Sequence, residues 1–191
     1  MDTANAKNDY CDIYIILTQT GTILSKMLKH ITHSKYNHSS ISLDFDLSAM
    51  YSFGRLNPYN AFYGGFVKEN IYKGVFGRFP KTTAAVIKIP VPKDKYNALS
   101  DKLTDMYNNR TQYHYNTLGL CTALFRYSFK RKNGYYCSEF ISRLLVDFDI
   151  VPTDSFEKIV KPMDFYNLFE NMIIYEGILR EYNKTNSNKT L

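Results

Sequence analysis

The chain has 191 residues, room for one domain with a substantial core, and its 45% hydrophobic and 22% charged content is that of an ordinary globular protein. The net charge of +6 comes from scattered lysines and arginines; the only dense basic run is KRK at 130–132, which lacks the stripe or module of a nucleic-acid binder, so no nucleic-acid partner is expected. Cys11, Cys121 and Cys137 are odd in number, widely spaced and without a C-x-x-C, which argues against a disulfide framework or a zinc ribbon and fits a reducing compartment.

The first twenty residues carry acids early and an apolar run of only about five residues, so neither a signal peptide nor a stable membrane span is expected, and the expected location is cytoplasmic. Residues 12–18 (DIYIILT) are apolar and β-branched and predict a buried strand. Residues 20–31 put Ile23, Met27, Leu28 and Ile31 at helical spacing. Residues 37–45 (NHSSISLDF) alternate polar and apolar, as a half-buried strand does, and a polar turn leads to an antiparallel partner at 49–55 (AMYSFGR). A Gly pair opens a further extended piece at 64–74, and Pro90 and Pro92 close a strand at 82–92.

Residues 93–109 carry Tyr96, Leu99, Leu103 and Met106 on one helical face, and the apolar stretch 116–127 predicts a buried helix. From Cys137, a stripe of Phe140, Ile141, Leu144, Leu145 and Phe148 marks another helix. Pro162 stands near the start of a helix at 161–172, residues 172–182 give a last strand, and the polar tail 183–191 is expected to fray. No repeat or internal linker interrupts this order. The expectation is a single domain over 1–191 with its core at about 10–182, of α+β class, an antiparallel sheet or barrel-like core packed by helices.

A cysteine heading a helix meets free backbone N–H groups and the positive end of the dipole, both of which favour the nucleophilic thiolate. Against this, a buried cysteine also serves as a small hydrophobe, and Cys137 shares its stripe with Ile141 and Leu144. A thiolate needs a base. His30 and His33 end the first predicted helix, His114 lies in an aromatic loop (QYHYN), and His38 opens a strand flanked by Asn37 and Ser39. A base at the start of a rigid strand can be held beside a helix end, so His38 is preferred, with His114 left open. His30, His33 and His38 fall within nine residues, but a helix end, a loop and a strand aim them apart, so no metal site and no cofactor are expected.

The ordered set YNHSSISLD, MYSFGR, GGFVKE and YYCSEFISRLL resembles the circularly permuted NlpC/P60 superfamily of papain-like cysteine hydrolases, which includes the YiiX-like and poxvirus members. The resemblance covers roughly residues 10–180. It implies Cys137 as nucleophile and His38 as general base, in the permuted order with the histidine first. The third residue, which orients the imidazole, is expected from Glu69 or Ser52, with Glu69 ahead because a carboxylate stabilises an imidazolium better than a hydroxyl. Asp44 shares the strand face of His38 but stands about 20 Å away at about 3.3 Å per residue. Arg55 is a candidate contact for an acidic substrate group, although a structural ion pair is its plainer role. Tyr135 and Tyr136 are expected to wall the cleft or to donate to an oxyanion.

The implied reaction is acyl transfer at an amide, ester or thioester bond through a thiolate–imidazolium pair and an acyl-enzyme. A peptide, a peptidoglycan fragment or a lipid or acyl group is the implied substrate. The alternative is a catalytically inactive binding or structural module of the same fold.

Overall fold

The computed structural model describes residues 9–21, 34–57, 60–115 and 134–187. The predicted helices at 20–31 and 116–127 fall largely or wholly outside these residues, as do His30, His33, Cys121 and the basic run at 130–132.

Continuous apolar sequence makes β1 (Tyr10–Gln19) a strand buried on both faces: Ile13, Ile15 and Leu17 point one way, and Tyr14 and Ile16 the other. It accordingly lies inside the sheet. With β2 (His38–Ser42), β3 (Met50–Asn57), β4 (Asn60–Glu69), β5 (Thr83–Pro92) and β8 (Ile173–Ile178) it forms a six-stranded sheet in the order β4-β3-β2-β1-β5-β8. Every neighbouring pair is antiparallel. Two short strands, β6 (His114–Tyr115) and β7 (Gly134–Tyr135), pair in parallel beside it.

Five helices accompany the strands among the described residues: α1 (Gly74–Arg78), α2 (Lys93–Asn108), α3 (Cys137–Asp147), α4 (Pro162–Leu168) and α5 (Tyr182–Ser187). The stripes expected on α2 and α3 are buried at Leu99, Leu103 and Met106 on the first and Phe140, Ile141, Leu144 and Leu145 on the second, while Tyr96 and Phe148, which stands just past the end of α3, are partly buried. Together with Phe165 of α4 they cover Ile13, Ile15, Leu17, Ile41, Phe53 and Phe66 on one sheet face. The opposite face packs Tyr14, Ile16, Met50, Ala84 and Val86 against Phe76, Leu179 and Tyr182. The class is therefore α+β, an antiparallel sheet with helices on both faces. None of the described helices is long and apolar enough to cross a membrane.

Two segments depart from the expectation. The extended piece at 64–74 ends at Glu69, because the Asn70 side chain accepts from the Tyr72 N–H at 2.9 Å and turns the chain. Gly74, at φ +58°, then opens α1, a conformation that favours glycine, and the buried Phe76 anchors it. The last strand, expected to run to 182, ends at Ile178, and α5 takes in Tyr182 and the first residues of the polar tail; Tyr182 is fully buried against the rings of Phe45 and Tyr175, and Asn183 donates to the Asp46 carbonyl at 3.0 Å. Burial of one aromatic residue outweighs the polar composition that follows it.

Phe53 is central to the arrangement that matters for the site. Its ring lies 5.1 Å from Tyr135, 5.2 Å from Phe140 and 5.4 Å from Phe66, tying β3 and β4 to the start of α3. Phe53→Ala is expected to lower stability by about 3–5 kcal/mol. A denaturant titration reads this as a lower midpoint at unchanged slope, and a loss under about 1 kcal/mol would contradict this packing.

Candidate active site

Three strand positions and one helix start build the site. His38 is the first residue of β2, opposite Thr18 of β1, and the Asn37 N–H donates to the Thr18 carbonyl at 3.1 Å where the chain enters the strand. Glu69 is the last residue of β4, two strands away. The strand between them, β3, presents Gly54 under the gap. A Cβ at Gly54 would stand 3.3 Å from Glu69 Oε1 and 3.2 Å from Ser52 Oγ, so any side chain there would press on the carboxylate. The missing side chain lets imidazole and carboxylate meet above the middle strand.

They meet closely. His38 Nε2 lies 3.1 Å from Oε1 and 3.2 Å from Oε2 of Glu69, with the two side chains only 19% and 12% exposed. The Ser40 hydroxyl donates to Glu69 Oε2 at 2.6 Å and lies 3.4 Å from His38 Nε2. Ser52, buried on β3, places its hydroxyl beside the same carboxylate without a regular hydrogen bond to any described residue.

Cys137 is the first residue of α3 and is 3% exposed. The His38 side chain lies beside its thiol and is the leading influence that favours the thiolate. With Nε2 on the carboxylate, Nδ1 is the ring nitrogen left for the sulfur. The Ser39 backbone N–H also reaches the sulfur, and the buried Ser39 hydroxyl lies beside it without a regular hydrogen bond. The helix start is fixed from the far side: Ser138 Oγ donates to the Val160 carbonyl at 2.8 Å, and the Tyr136 phenol lies beside the Val160 backbone.

The electrostatics follow from this contact chain. Burial opposes charge on the His38 ring, but the Glu69 carboxylate and the hydrogen bonds to Cys137 and Glu69 outweigh it and lift the imidazole to about 10. Burial likewise raises the Glu69 carboxyl, yet the charge and hydrogen bond of His38, with Ser40 and Ser52 beside it, hold it below its ordinary value. For Cys137 burial favours the thiol, but the hydrogen bond and charge of His38 and the Ser39 N–H hold its pKa below the usual thiol value. All three shifts favour thiolate, imidazolium and carboxylate together.

The other sequence candidates lie around this cluster. His114 is exposed on β6, and the ring beside the thiol is that of His38. Arg55 follows Gly54 on β3 and so takes the other sheet face from Glu69; it is partly buried next to Tyr115, and burial lowers its guanidinium pKa. Tyr135 packs at a tilt against Phe53 and lies under Arg143, whose guanidinium is 5.2 Å from the ring centre. Tyr136 caps the helix start, and burial raises its phenol to about 12, which keeps it neutral. Among the described residues no three histidine, cysteine or acidic side chains converge to hold a metal ion.

Sequence reasoning passed over Ser39, Ser40 and Gly54. Ser40 had a signal, since it stands two residues from His38 and therefore on the same strand face. Comparison of the chain with protein-family models, with curated proteins and with solved structures returned no match, so the geometry of the cluster carries the functional reading.

Proposed function

We propose that the protein is a cysteine hydrolase or acyltransferase acting on an amide, ester or thioester bond, with Cys137 as nucleophile, His38 as general base and Glu69 as the residue that orients the imidazole. The observation that carries this is a helix-leading thiol beside an imidazole whose Nε2 rests on a buried carboxylate. The order of a histidine-bearing strand before a cysteine-bearing helix agrees with a permuted papain-like arrangement. The Glu69 carboxylate beside the imidazole favours this reading over an inactive module of the same fold.

His38 Nδ1 takes the Cys137 proton, leaving thiolate and imidazolium. The thiolate attacks the carbonyl carbon, a C–S bond forms, and the oxygen gains charge next to the Cys137 backbone N–H, one of the first-turn donors with no partner inside the helix. Collapse breaks the bond to the leaving amine, alcohol or thiol, which takes the imidazolium proton. Water or another acceptor, deprotonated by His38, then releases the acyl group and regenerates the thiol. A peptide, a peptidoglycan fragment or a lipid or acyl group is the proposed substrate class.

Iodoacetamide alkylation of Cys137, followed by peptide mass spectrometry across pH, tests this directly. The rate is expected to reach its plateau well below pH 8.5, where a free thiol titrates, because the thiol pKa is lowered. A rate that follows a free thiol, or no reaction at any pH, would sink the proposal.

A further inference from the structure

We propose that Ser40 is a positioning residue of this site, a hydroxyl that fixes the Glu69 carboxylate so that His38 Nε2 faces only acceptors and every proton transfer takes place at Nδ1. The inference rests on the Cys137–His38 reading above and adds a member to it.

The geometry comes from one strand. Ser40 stands two residues after His38 on β2, so both side chains leave the same sheet face, and Ser40 is fully buried there. Its hydroxyl has one hydrogen, and the 2.6 Å contact to Glu69 Oε2 is that of a hydroxyl donating to a charged oxygen. The lone pairs of the same oxygen are thereby turned toward Nε2 at 3.4 Å. Nε2 thus sees three oxygens, the carboxylate pair at 3.1 and 3.2 Å and Ser40 Oγ beyond them, and none can take its place as donor to the ring. The neutral imidazole must carry its hydrogen on Nε2, which leaves the Nδ1 lone pair for the thiol. Nothing is consumed or transferred at Ser40 itself.

The nearly equal distances from Nε2 to the two carboxylate oxygens give the reason a pin is needed. A carboxylate shared this evenly can turn about its own axis without losing the histidine, and turning it moves the ring against the sulfur. A short bond from a fully buried, strand-borne hydroxyl to Oε2 removes that freedom. Ser42, two residues further along, shows the contrast: it too is buried, but its hydroxyl donates to the Ala49 carbonyl at 2.8 Å and so serves the turn, not the site.

The test uses the full chain and the alkylation profile of Cys137. Ser40→Ala is expected to slow alkylation at pH 6 about three- to tenfold, the weight of one hydrogen bond, and to move the midpoint upward. Ser40→Thr, which keeps the hydroxyl, is expected to restore the profile, and Ser42→Ala to leave it unchanged. A wild-type midpoint at the free-thiol value overturns the site reading as a whole. A low wild-type midpoint that Ser40→Ala does not move overturns the role of Ser40 alone. Should Ser40→Ala fail to fold, histidine 15N resonances of the unmodified protein decide: Nε2 is expected to stay protonated while Nδ1 titrates, and a neutral ring protonated at Nδ1 overturns the proposal.

Discussion

Cys137→Ser is expected to abolish acyl transfer, with a loss on the order of 10⁶-fold, while the fold survives. The substitution exchanges sulfur for oxygen at a buried helix start that is otherwise held by Ser138 and Tyr136 on Val160. The loss has two sources. A serine hydroxyl holds its proton far more tightly than a thiol, so His38 no longer has an anion to stabilise at neutral pH. His38 in turn loses one of the contacts that raise its pKa, since the hydrogen bond and the charge of Cys137 both contribute to lifting the ring. A panel of activated amides, esters and thioesters reads the rate, and intact mass reads the acyl-enzyme, which is expected on wild type and absent from the variant. His38→Ala is expected to lose acylation to a similar degree, because a thiol without its base stays protonated. A Cys137→Ser protein that turns over at the wild-type rate would place the chemistry elsewhere.

The parts of this site that were legible in the sequence are those set by local pattern. A helical stripe that starts at Cys137 puts the thiol at a helix start without any tertiary information, and alternation over 37–45 puts His38 at a strand end. The match of the two in chain order is what pointed to a pair. The third residue was harder because sheet register, not sequence spacing, decides it. Glu69 reaches His38 across β3, and the register pairs Glu69 with Met50 and Gly54 with Gly65, which no periodicity reports. Ser52 and Glu69 are both at the carboxylate end of the site, so the choice between them was a choice between neighbours that differ in hydrogen bonding. Arg55 illustrates the opposite case: one residue beyond Gly54, strand alternation alone sends it to the other face. The helix that carries the chain past 182 to Ser187 was not legible for a different reason, since the burial of Tyr182 is a property of the face it meets and not of its own neighbours in sequence.

Glu69→Gln separates the charge of the third residue from its shape, and a loss of about 10²- to 10⁴-fold in kcat/KM is expected at neutral pH. A glutamine can keep one oxygen toward Nε2 and turn its amide nitrogen to the Ser40 hydroxyl, so the layout of the pocket is retained. What disappears is the negative charge, the leading influence that raises His38 against its burial. Without it the ring falls from about 10 toward the value that burial imposes, and the Cys137 thiol, held low chiefly by His38, rises. The thiolate–imidazolium window of the wild type, bounded below by the lowered thiol and above by the raised imidazole, closes from both sides. The pH profile of alkylation in the variant is therefore expected to move toward that of a free thiol. Stability carries the same signature with the sign fixed by linkage. The His38 contribution is fully present below its ordinary 6.5 and is lost as pH rises through about 10, whereas the Glu69 contribution is present above its ordinary 4.5 and is lost as pH falls through its lowered folded value. The stability gap between wild type and Glu69→Gln is thus expected to be widest between about pH 5 and 6.5, to shrink toward pH 10 and to vanish in strong acid, where both proteins carry a neutral side chain at position 69. Denaturant midpoints across that range check it. A variant that keeps wild-type alkylation at pH 6 and a pH-independent stability gap would remove Glu69 from the mechanism and leave the thiol and imidazole to act as an unassisted pair.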